Sequence, residues 1–400
     1  MNHNRVVSGM RPTGRLHLGH YHGVLKNWIE LQHRWDCFFF VADWHALTTD
    51  YQNSELIAEY TREMIIDWLA SGLSPQSCTI FVQSRVPEHA ELHVLLSMVT
   101  PLSWLERVPS YKDTIKKLND RDLNTYGFLG YPLLQAADIL LYQADTVPVG
   151  ADQVAHVELT REIARTFNFA FGRGDDWEDL AFRALSRLPK KLKQKYIEAR
   201  TQFIEQGLTD NIARLQEQLK DQHYLTEDET ERLLGYLEGV GRMILSEPQA
   251  MLTDKPALPG LDGEKMSKSY NNVIYLREES GQVEHKIRKM QTDPARVRRS
   301  DPGDPKKCPV YALHKVYSDS STLNWVNSGC QSARIGCLEC KGPLIDSINK
   351  EQDQFKERAA QYVEEPTVIS HIISEGSETA RVAAKETLGE VRSAIGIGRR

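Results

Sequence analysis

The chain contains no apolar run near the ~20 residues that cross a bilayer as a helix, so no membrane span is expected. It contains no Gly-x-x-x-x-Gly-Lys segment, which sets the P-loop nucleotidases aside. It has no excess of positive charge: 49 Lys and Arg against 55 Asp and Glu give a net charge of −6. That balance argues against indiscriminate binding of nucleic acid, but local basic patches can still meet phosphates. Two such patches stand out, Lys286, Arg288, Lys289, Arg296, Arg298, Arg299, Lys306 and Lys307, and the run Lys190-Lys191-Leu192-Lys193-Gln194-Lys195. Cysteine is scarce, with six in 400 residues, and four of the six fall in one stretch. Met1–Arg5 leads straight into a strand-like run, which leaves no room for a signal peptide, so a cytoplasmic protein is expected.

What is present suffices for two or three cored domains, since 40% of the residues are hydrophobic. Strand-like runs at Val6–Met10, Cys37–Ala42, Thr79–Gln83 and Thr146–Val149 alternate with helical patterns. Leu56, Tyr60, Met64 and Trp68, for example, recur at fours and mark one helix face. This alternation predicts an α/β fold with a Rossmann-type parallel sheet. Ligands then belong at the carboxyl ends of the strands, where Arg11–Thr13, Asp43–His45 and Gly150–Gln153 fall. Residues 175–250 change character, becoming charged and punctuated by leucine. They read as an insertion of two to four helices, with Thr226 and Glu229 spaced as a capping box. After Tyr275 the chain reads as helical to its end. The expected organisation is a catalytic domain over 1–174, a helical insertion over 175–250, a loop returning to the catalytic domain over 251–280, and an all-helical domain over 281–400.

Two short segments carry the chemistry. After the first strand stands Thr13-Gly14-Arg15-Leu16-His17-Leu18-Gly19-His20, read as a turn followed by a helix start. Free N–H groups and partial positive charge at such an end attract phosphate. Gly19 permits close approach of a ligand to the backbone, and His17 and His20, three apart, can donate hydrogen bonds to phosphate oxygens. Far downstream stands Lys265-Met266-Ser267-Lys268-Ser269, whose two ammonium groups can follow charge onto a departing pyrophosphate. Together they describe a site for ATP attacked at its α-phosphorus.

The cysteines divide in two. Cys37 and Cys78 lie in apolar strand-like runs and read as inert core thiols. Cys308, Cys330, Cys337 and Cys340 form Cys-x21-Cys-x6-Cys-x2-Cys with glycines close by. In a cytosolic chain this pattern points to a metal and not to disulfides, and four thiolates suit either Zn²⁺ or a [4Fe–4S] cluster.

His17–His20 and Lys265–Ser269 resemble the "HIGH" and "KMSKS" motifs of class I aminoacyl-tRNA synthetases. The wider pattern is similar to their bacterial tryptophanyl branch. It is carried by Ser8–Gly14, Val41–Thr48, Ile80–Ser84, Tyr131–Tyr142, Val147–Gln153 and His156–Glu162, and by Ala394–Arg399 near the end. About 5–170 and 250–398 share it. The resemblance implies two steps: L-tryptophan and ATP give tryptophanyl-adenylate and diphosphate, then a terminal ribose hydroxyl of tRNA(Trp) takes the tryptophanyl group and AMP leaves. It implies His17, His20, Lys265 and Lys268 as catalytic groups, and Mg²⁺ bridging the phosphates. It places ATP against Arg11, Pro12, Thr13, Gly19 and His20, against Gly150, Ala151 and Asp152, and against Lys265, Met266, Ser267, Lys268 and Ser269.

For the amino acid, Asp138 sits in an apolar helical run and needs a partner; an indole N–H fits. The alternative is a structural carboxylate held by an Arg or by backbone. Gln135 lies one turn earlier on the same side, where some related sequences have Met. Gln153 and Tyr131 are placed at the substrate's ammonium, and His45 either lines the indole pocket or is a satisfied core histidine. Tyrosine-specific relatives share the architecture, and the tryptophan assignment rests on the length of the match. A branch of the family with similar cysteines carries [4Fe–4S], which favours the cluster over zinc. The family also implies a homodimer, with Leu95–Tyr126 as the expected interface, and an anticodon-binding role for the helical domain. Rival classes are a small-molecule adenylyltransferase with a His-x-x-His turn and a non-catalytic tRNA-binding relative.

Overall fold

The computed structural model describes residues 4–108, 125–173, 176–208, 211–239, 241–252 and 258–397. Five strands form one sheet: β1 Arg5–Met10, β2 Asp36–Val41, β3 Thr79–Val82, β4 Thr146–Val149 and β5 Gln249–Leu252, in the order β3-β2-β1-β4-β5. β1 runs parallel to β4, with Val6 opposite Thr146, and β2 runs parallel to β3 from Phe38–Thr79 to Val41–Val82. Phe38–Val41 and Ile80–Val82 are buried without alternation, as in parallel strands covered on both faces. The Rossmann-type parallel sheet expected from the sequence is therefore present. β5 is an addition that no sequence pattern announced.

The chain divides into two compact units. One comprises Ser8–Arg85 and Leu252–Glu378. Its core is aromatic: Trp28 stacks on Phe39 with ring centroids 4.4 Å apart and meets Trp68 edge-on at 5.2 Å. Helix Glu55–Ser71 buries Met64 and Trp68 as its spacing predicts, but Leu56 in its first turn stays exposed. The later part of this unit is helical, with Ser280–Lys289, Pro309–Tyr317, Ser320–Gln331 and Cys337–Glu364. The long helix Cys337–Glu364 lies along helix Glu55–Ser71. There Arg358 donates to the Ala70 carbonyl at 3.3 Å, and Gln352 donates to the Tyr275 carbonyl at 2.7 Å.

The other unit comprises Met1–Val7, Val86–Met251 and Thr379–Arg400. Helix Tyr131–Leu140 packs against both Glu88–Ser97 and Val154–Phe171. The expected insertion consists of four helices, Trp177–Arg187, Lys190–Gln206, Ile212–Lys220 and Glu227–Leu237. They enclose a core of their own around Leu185, Tyr196, Leu215, Leu219, Leu233 and Leu237. The capping box is formed: Thr226 Oγ accepts from Glu229 N–H at 3.2 Å, and Glu229 Oε2 accepts from Thr226 N–H at 2.9 Å. The two ends of the insertion meet where Arg242 N–H donates to the Gly172 carbonyl at 2.8 Å. The last turns of helix Pro366–Ile395 are tied to this unit by Arg381–Glu88 at 2.9 Å and Arg392–Glu91 at 2.6 Å.

Of the expected interface segment Leu95–Tyr126, residues 109–124 lie outside the described residues. Val94, Met98, Leu102 and Tyr126 beside them are all more than half exposed. Among the described residues, no helix is long and apolar enough to cross a membrane.

Candidate active site

The two motifs meet within one unit. His17 is the extended residue before helix Leu18–His20, which passes into a π-helical turn, Tyr21–Leu25, and then helix Lys26–Leu31. The turn followed by a helix start that the sequence suggested is thus present, with the helix opening at Leu18. Leu18 N–H donates to the Ile274 carbonyl at 2.9 Å, and Leu276 N–H to the Leu16 carbonyl at 3.0 Å. These two bonds form an antiparallel bridge at His17 and Tyr275. The segment just after Lys265–Ser269 is thereby bonded to the segment carrying His17.

The two histidine rings lie 3.8 Å apart, and His17 N–H donates to His20 Nδ1 at 3.2 Å. A nitrogen that accepts cannot carry the ring proton, so neutral His20 has its N–H at Nε2, free to donate outward. Burial, then Lys268, lowers the His17 pKa to about 4. Burial, then His17, pushes His20 well below its ordinary range. Both are neutral near pH 7, so they act on phosphate as hydrogen-bond donors and not as cations. His17 Nδ1 is buried and has no hydrogen-bond partner among the described residues. Gly19 has a reason the sequence did not show. A Cβ there would lie 2.9 Å from His17 Nδ1 and 3.4 Å from Met266 Cβ, so the glycine makes room for the histidine ring.

Lys268 Nζ donates to the Gly14 carbonyl at 3.0 Å. Gly14 takes φ +119°, a conformation that glycine allows without strain. Burial, then Arg11, lowers the Lys268 pKa to about 8. The ammonium is therefore charged at neutral pH but holds its proton loosely. Arg11, Thr13 and Lys265 are exposed; Pro12 and Met266 are buried. Ser267 N–H donates to Asn272 Oδ1 at 2.7 Å. Asn272 Nδ2 donates to Asp262 Oδ1 at 2.8 Å and to the Lys265 carbonyl at 3.2 Å. This buried asparagine, which the motif reading passed over, organises the loop. The side chain of Ser269 lies outside the described residues. His45 is buried in helix Asp43–Asp50. Asp43 Oδ1 accepts from Ser84 N–H and Trp44 N–H, both at 3.0 Å.

Of the proposed amino-acid residues, His45 belongs to this unit, and Tyr131, Gln135, Asp138 and Gln153 belong to the other. Asp138 is 1% exposed, and one of its partners is a histidine: His89 Nδ1 lies 2.7 Å from Asp138 Oδ1, and His89 Nε2 lies 2.7 Å from the Tyr142 hydroxyl. Gln135 Oε1 accepts from His156 Nδ1 at 2.8 Å, and the Tyr131 ring meets His156 edge-on at 6.0 Å. His89 and His156 were missed as partners. Their only signal in the sequence is a polar ring on a helix face that is otherwise apolar. Gly150, Ala151 and Asp152 are exposed at the carboxyl end of β4, and Gln153 Nε2 donates to Asp152 Oδ2 at 3.3 Å.

Cys37 and Cys78 are buried, and burial pushes both thiols up to about 12, which keeps them protonated and unreactive. The other four cysteines are half-buried. Arg296 Nη1 approaches Cys330 Sγ at 3.8 Å, and His314 Nε2 lies 3.5 Å from Cys340 Sγ. Burial, then Cys308, Cys330 and Cys337, pushes the Cys340 thiol up to about 12. The thiols are thus near enough to feel one another. Even so, no group of three or more His, Cys, Asp or Glu among the described residues is arranged to hold a metal ion. The donor chemistry fits a metal; the spacing of the side chains does not yet close around one. Of the basic patch beside them, Lys286 pairs with Glu278, Arg288 with Glu284 and Arg299 with Glu339, and Arg296 donates to the Ile335 carbonyl. Arg288 and Arg299 are exposed despite these pairs, as are Lys289, Arg298, Lys306 and Lys307.

The sequence family described as "tRNA synthetases class I (W and Y)" matches residues 1–180 and 221–351. A tryptophan–tRNA ligase of Ralstonia nicotianae is 58% identical over 393 residues, 98% of this chain and 98% of that protein. One of Thermotoga maritima is 42% identical over 98% of this chain and 99% of that protein. With such coverage both alignments run through the helical insertion, which the sequence reading had set apart from the family. Among solved structures, a tryptophanyl-tRNA synthetase of Campylobacter jejuni complexed with ADP and tryptophan superposes with a TM-score of 0.75 at 27% identity, over 98% of this chain and 100% of that one. With the two motifs bonded together, a parallel sheet in the fold and these likenesses over 98% of its length, the chain belongs to the class I tRNA synthetases of the W and Y group.

Proposed function

We propose that the chain activates L-tryptophan with ATP and transfers it to tRNA(Trp). The observation that carries this reading is the seating of Lys268 on Gly14 beside two neutral histidines, His17 buried and His20 partly so. A tryptophan carboxylate oxygen attacks the α-phosphorus, the bond to the bridging oxygen breaks, and diphosphate leaves with the electron pair. His20 Nε2–H donates to phosphate oxygen, and Lys268, with Lys265, holds the departing charge. Arg11–Thr13 and Gly150–Asp152 hold the nucleotide, and Mg²⁺ would enter with ATP on its phosphates. A ribose hydroxyl of tRNA then attacks the adenylate carbonyl, and AMP leaves. Asp138 reads the indole N–H, with Gln135, Tyr131, Gln153 and His45 around the substrate. Tryptophan is favoured over tyrosine because the relatives cited above are tryptophan–tRNA ligases. Isotopic exchange of pyrophosphate into ATP tests the reading. Exchange should require L-tryptophan; exchange driven by tyrosine, or by no amino acid, would defeat it.

The reading places the chain in the cytoplasm, where tRNA is charged, and makes it a homodimer. The exposed Val94, Met98, Leu102 and Tyr126 support that interface, because several large apolar side chains exposed on one stretch of chain favour a protein partner. For the four cysteines we propose a [4Fe–4S] centre, with zinc as the alternative. Support comes from the two cations that act on the thiols, Arg296 at Cys330 and Lys341 at Cys340: each draws its thiol toward thiolate, against the larger effect of burial, which leaves both thiols raised. The centre takes no part in the adenylation.

A further inference from the structure

Asp138, as a carboxylate, can only accept hydrogen bonds. At 1% exposure it is cut off from water, and a buried carboxylate keeps its charge and its orientation only through fixed donors. One such donor is His89 Nδ1–H, 2.7 Å from Oδ1. His89 is itself fully buried, and it sits in the first turn of helix Glu88–Ser97, next to Glu88, which pairs with Arg381 at 2.9 Å. Its far nitrogen is bonded to the Tyr142 hydroxyl at 2.7 Å, two residues beyond the end of helix Tyr131–Leu140. Burial, then Asp138 and Glu88, raises the Tyr142 hydroxyl well above its ordinary range, so it keeps its proton. An imidazole held at both nitrogens cannot rotate, and the carboxylate oxygen it holds cannot rotate either.

We infer that His89, locked by Tyr142, is a positioning residue for tryptophan selection: it fixes the Asp138 carboxylate in the orientation that discriminates for an indole N–H. This rests on the reading of Asp138 as the indole partner. The competing role is a plain structural tie, since helices Glu88–Ser97 and Tyr131–Leu140 pack along each other. The two roles differ in what they do to selectivity. A tie supports every amino acid equally, whereas a positioning residue matters only to a substrate that offers the N–H.

The test is pyrophosphate exchange by the full-length enzyme with L-tryptophan and with L-3-benzothienylalanine, in which sulfur replaces the indole N–H. The quantity read is the ratio of kcat/KM for the two. His89→Leu should lower that ratio about tenfold by slowing tryptophan alone, the size expected for weakening one charge-assisted hydrogen bond. His89→Asn should keep most of it, because its amide nitrogen stands near the position of Nδ1. Should His89→Leu fail to fold, His89→Gln replaces it with the same expectation, since its amide nitrogen reaches the Nε2 position instead. Equal slowing of both substrates, with the ratio unchanged, would overturn the inference and leave His89 a structural tie. Asp138→Asn separates the two claims. If it leaves the ratio unchanged, the reading of Asp138 itself has failed; if it collapses the ratio while His89→Leu does not, only the role of His89 has.

Discussion

Lys268 Nζ and the Gly14 carbonyl, 254 residues apart in the chain, are 3.0 Å apart in the fold. The bond holds the second motif's ammonium at the turn that opens the first. It is also a bond that ATP phosphates can replace, because an ammonium prefers an anion to a neutral carbonyl.

Lys268→Ala should lower the rate of adenylate formation about 10²–10³-fold, as removal of a group acting on developing charge does. The KM for tryptophan should hardly move. Stopped-flow measurement of adenylate formation separates the two, and a change confined to the KM for tryptophan would refute the assigned role.

The pH dependence follows from the same side chain. Its pKa is lowered to about 8, and the charged form is the working one. The kcat/KM for ATP, which reports the free enzyme, should therefore be level near pH 7 and fall as pH rises through about 8. His17 and His20 are already neutral there, so they should add no acid limb between pH 6 and 8. An acid limb in that window that disappears in His20→Asn would contradict the neutral assignment.

Asn272→Ala should loosen the loop around Lys265. It removes the acceptor of Ser267 N–H and two donated bonds at half-buried positions, each bond worth about 0.5–1.5 kcal/mol. Trypsin should then cut after Lys265 and Lys268 faster than in the unaltered protein, and ATP should restore protection. Unchanged cleavage would mean that the loop holds its shape by other means.

Excision of residues 174–240, with Arg173 joined to Gly241 through a short Gly-Ser link, should leave pyrophosphate exchange largely intact. The ends already meet at Gly172 and Arg242, and the removed helices carry their own core. A folded deletion protein without exchange would show that the insertion serves catalysis.

Anaerobically purified protein should be brown and carry about four irons per chain. Cys337→Ser should lose the iron and weaken tRNA binding but keep tryptophan-dependent exchange. Colourless anaerobic protein with one tightly bound zinc would replace the cluster by a zinc site.

Much of this was legible in the residues. β1 to β4 are short runs of Val, Ile and Phe, and burial on both faces makes such runs visible. β5, Gln249–Leu252, has no β-branched residue and is half-exposed, so only its neighbours in the sheet define it. Helix Ser320–Gln331, rich in Ser, Thr, Asn and Gly, falls within the run after Tyr275 that reads as helical, although its own propensity is weak. Both ATP motifs were plain because their residue types are constrained by phosphate. What was hidden were the supporting partners. His89, His156 and Asn272 each look like ordinary polar residues until the fold brings a carboxylate, an amide or a loop backbone to them. Gly19 was attributed to ligand approach, and the room it makes is for His17.

The bridge between Leu16–Leu18 and Ile274–Leu276 also bears on the order in which the molecule can be made. Synthesis begins at the amino end, and a contact this distant in the chain closes late. While the ribosome is still short of Leu276, the turn that carries His17 has no strand to lie against, and Gly14 has no lysine to receive. The two ATP motifs therefore come together only once the chain has been made as far as Leu276 of its 400 residues, so a nascent chain shorter than that holds each motif apart from the other.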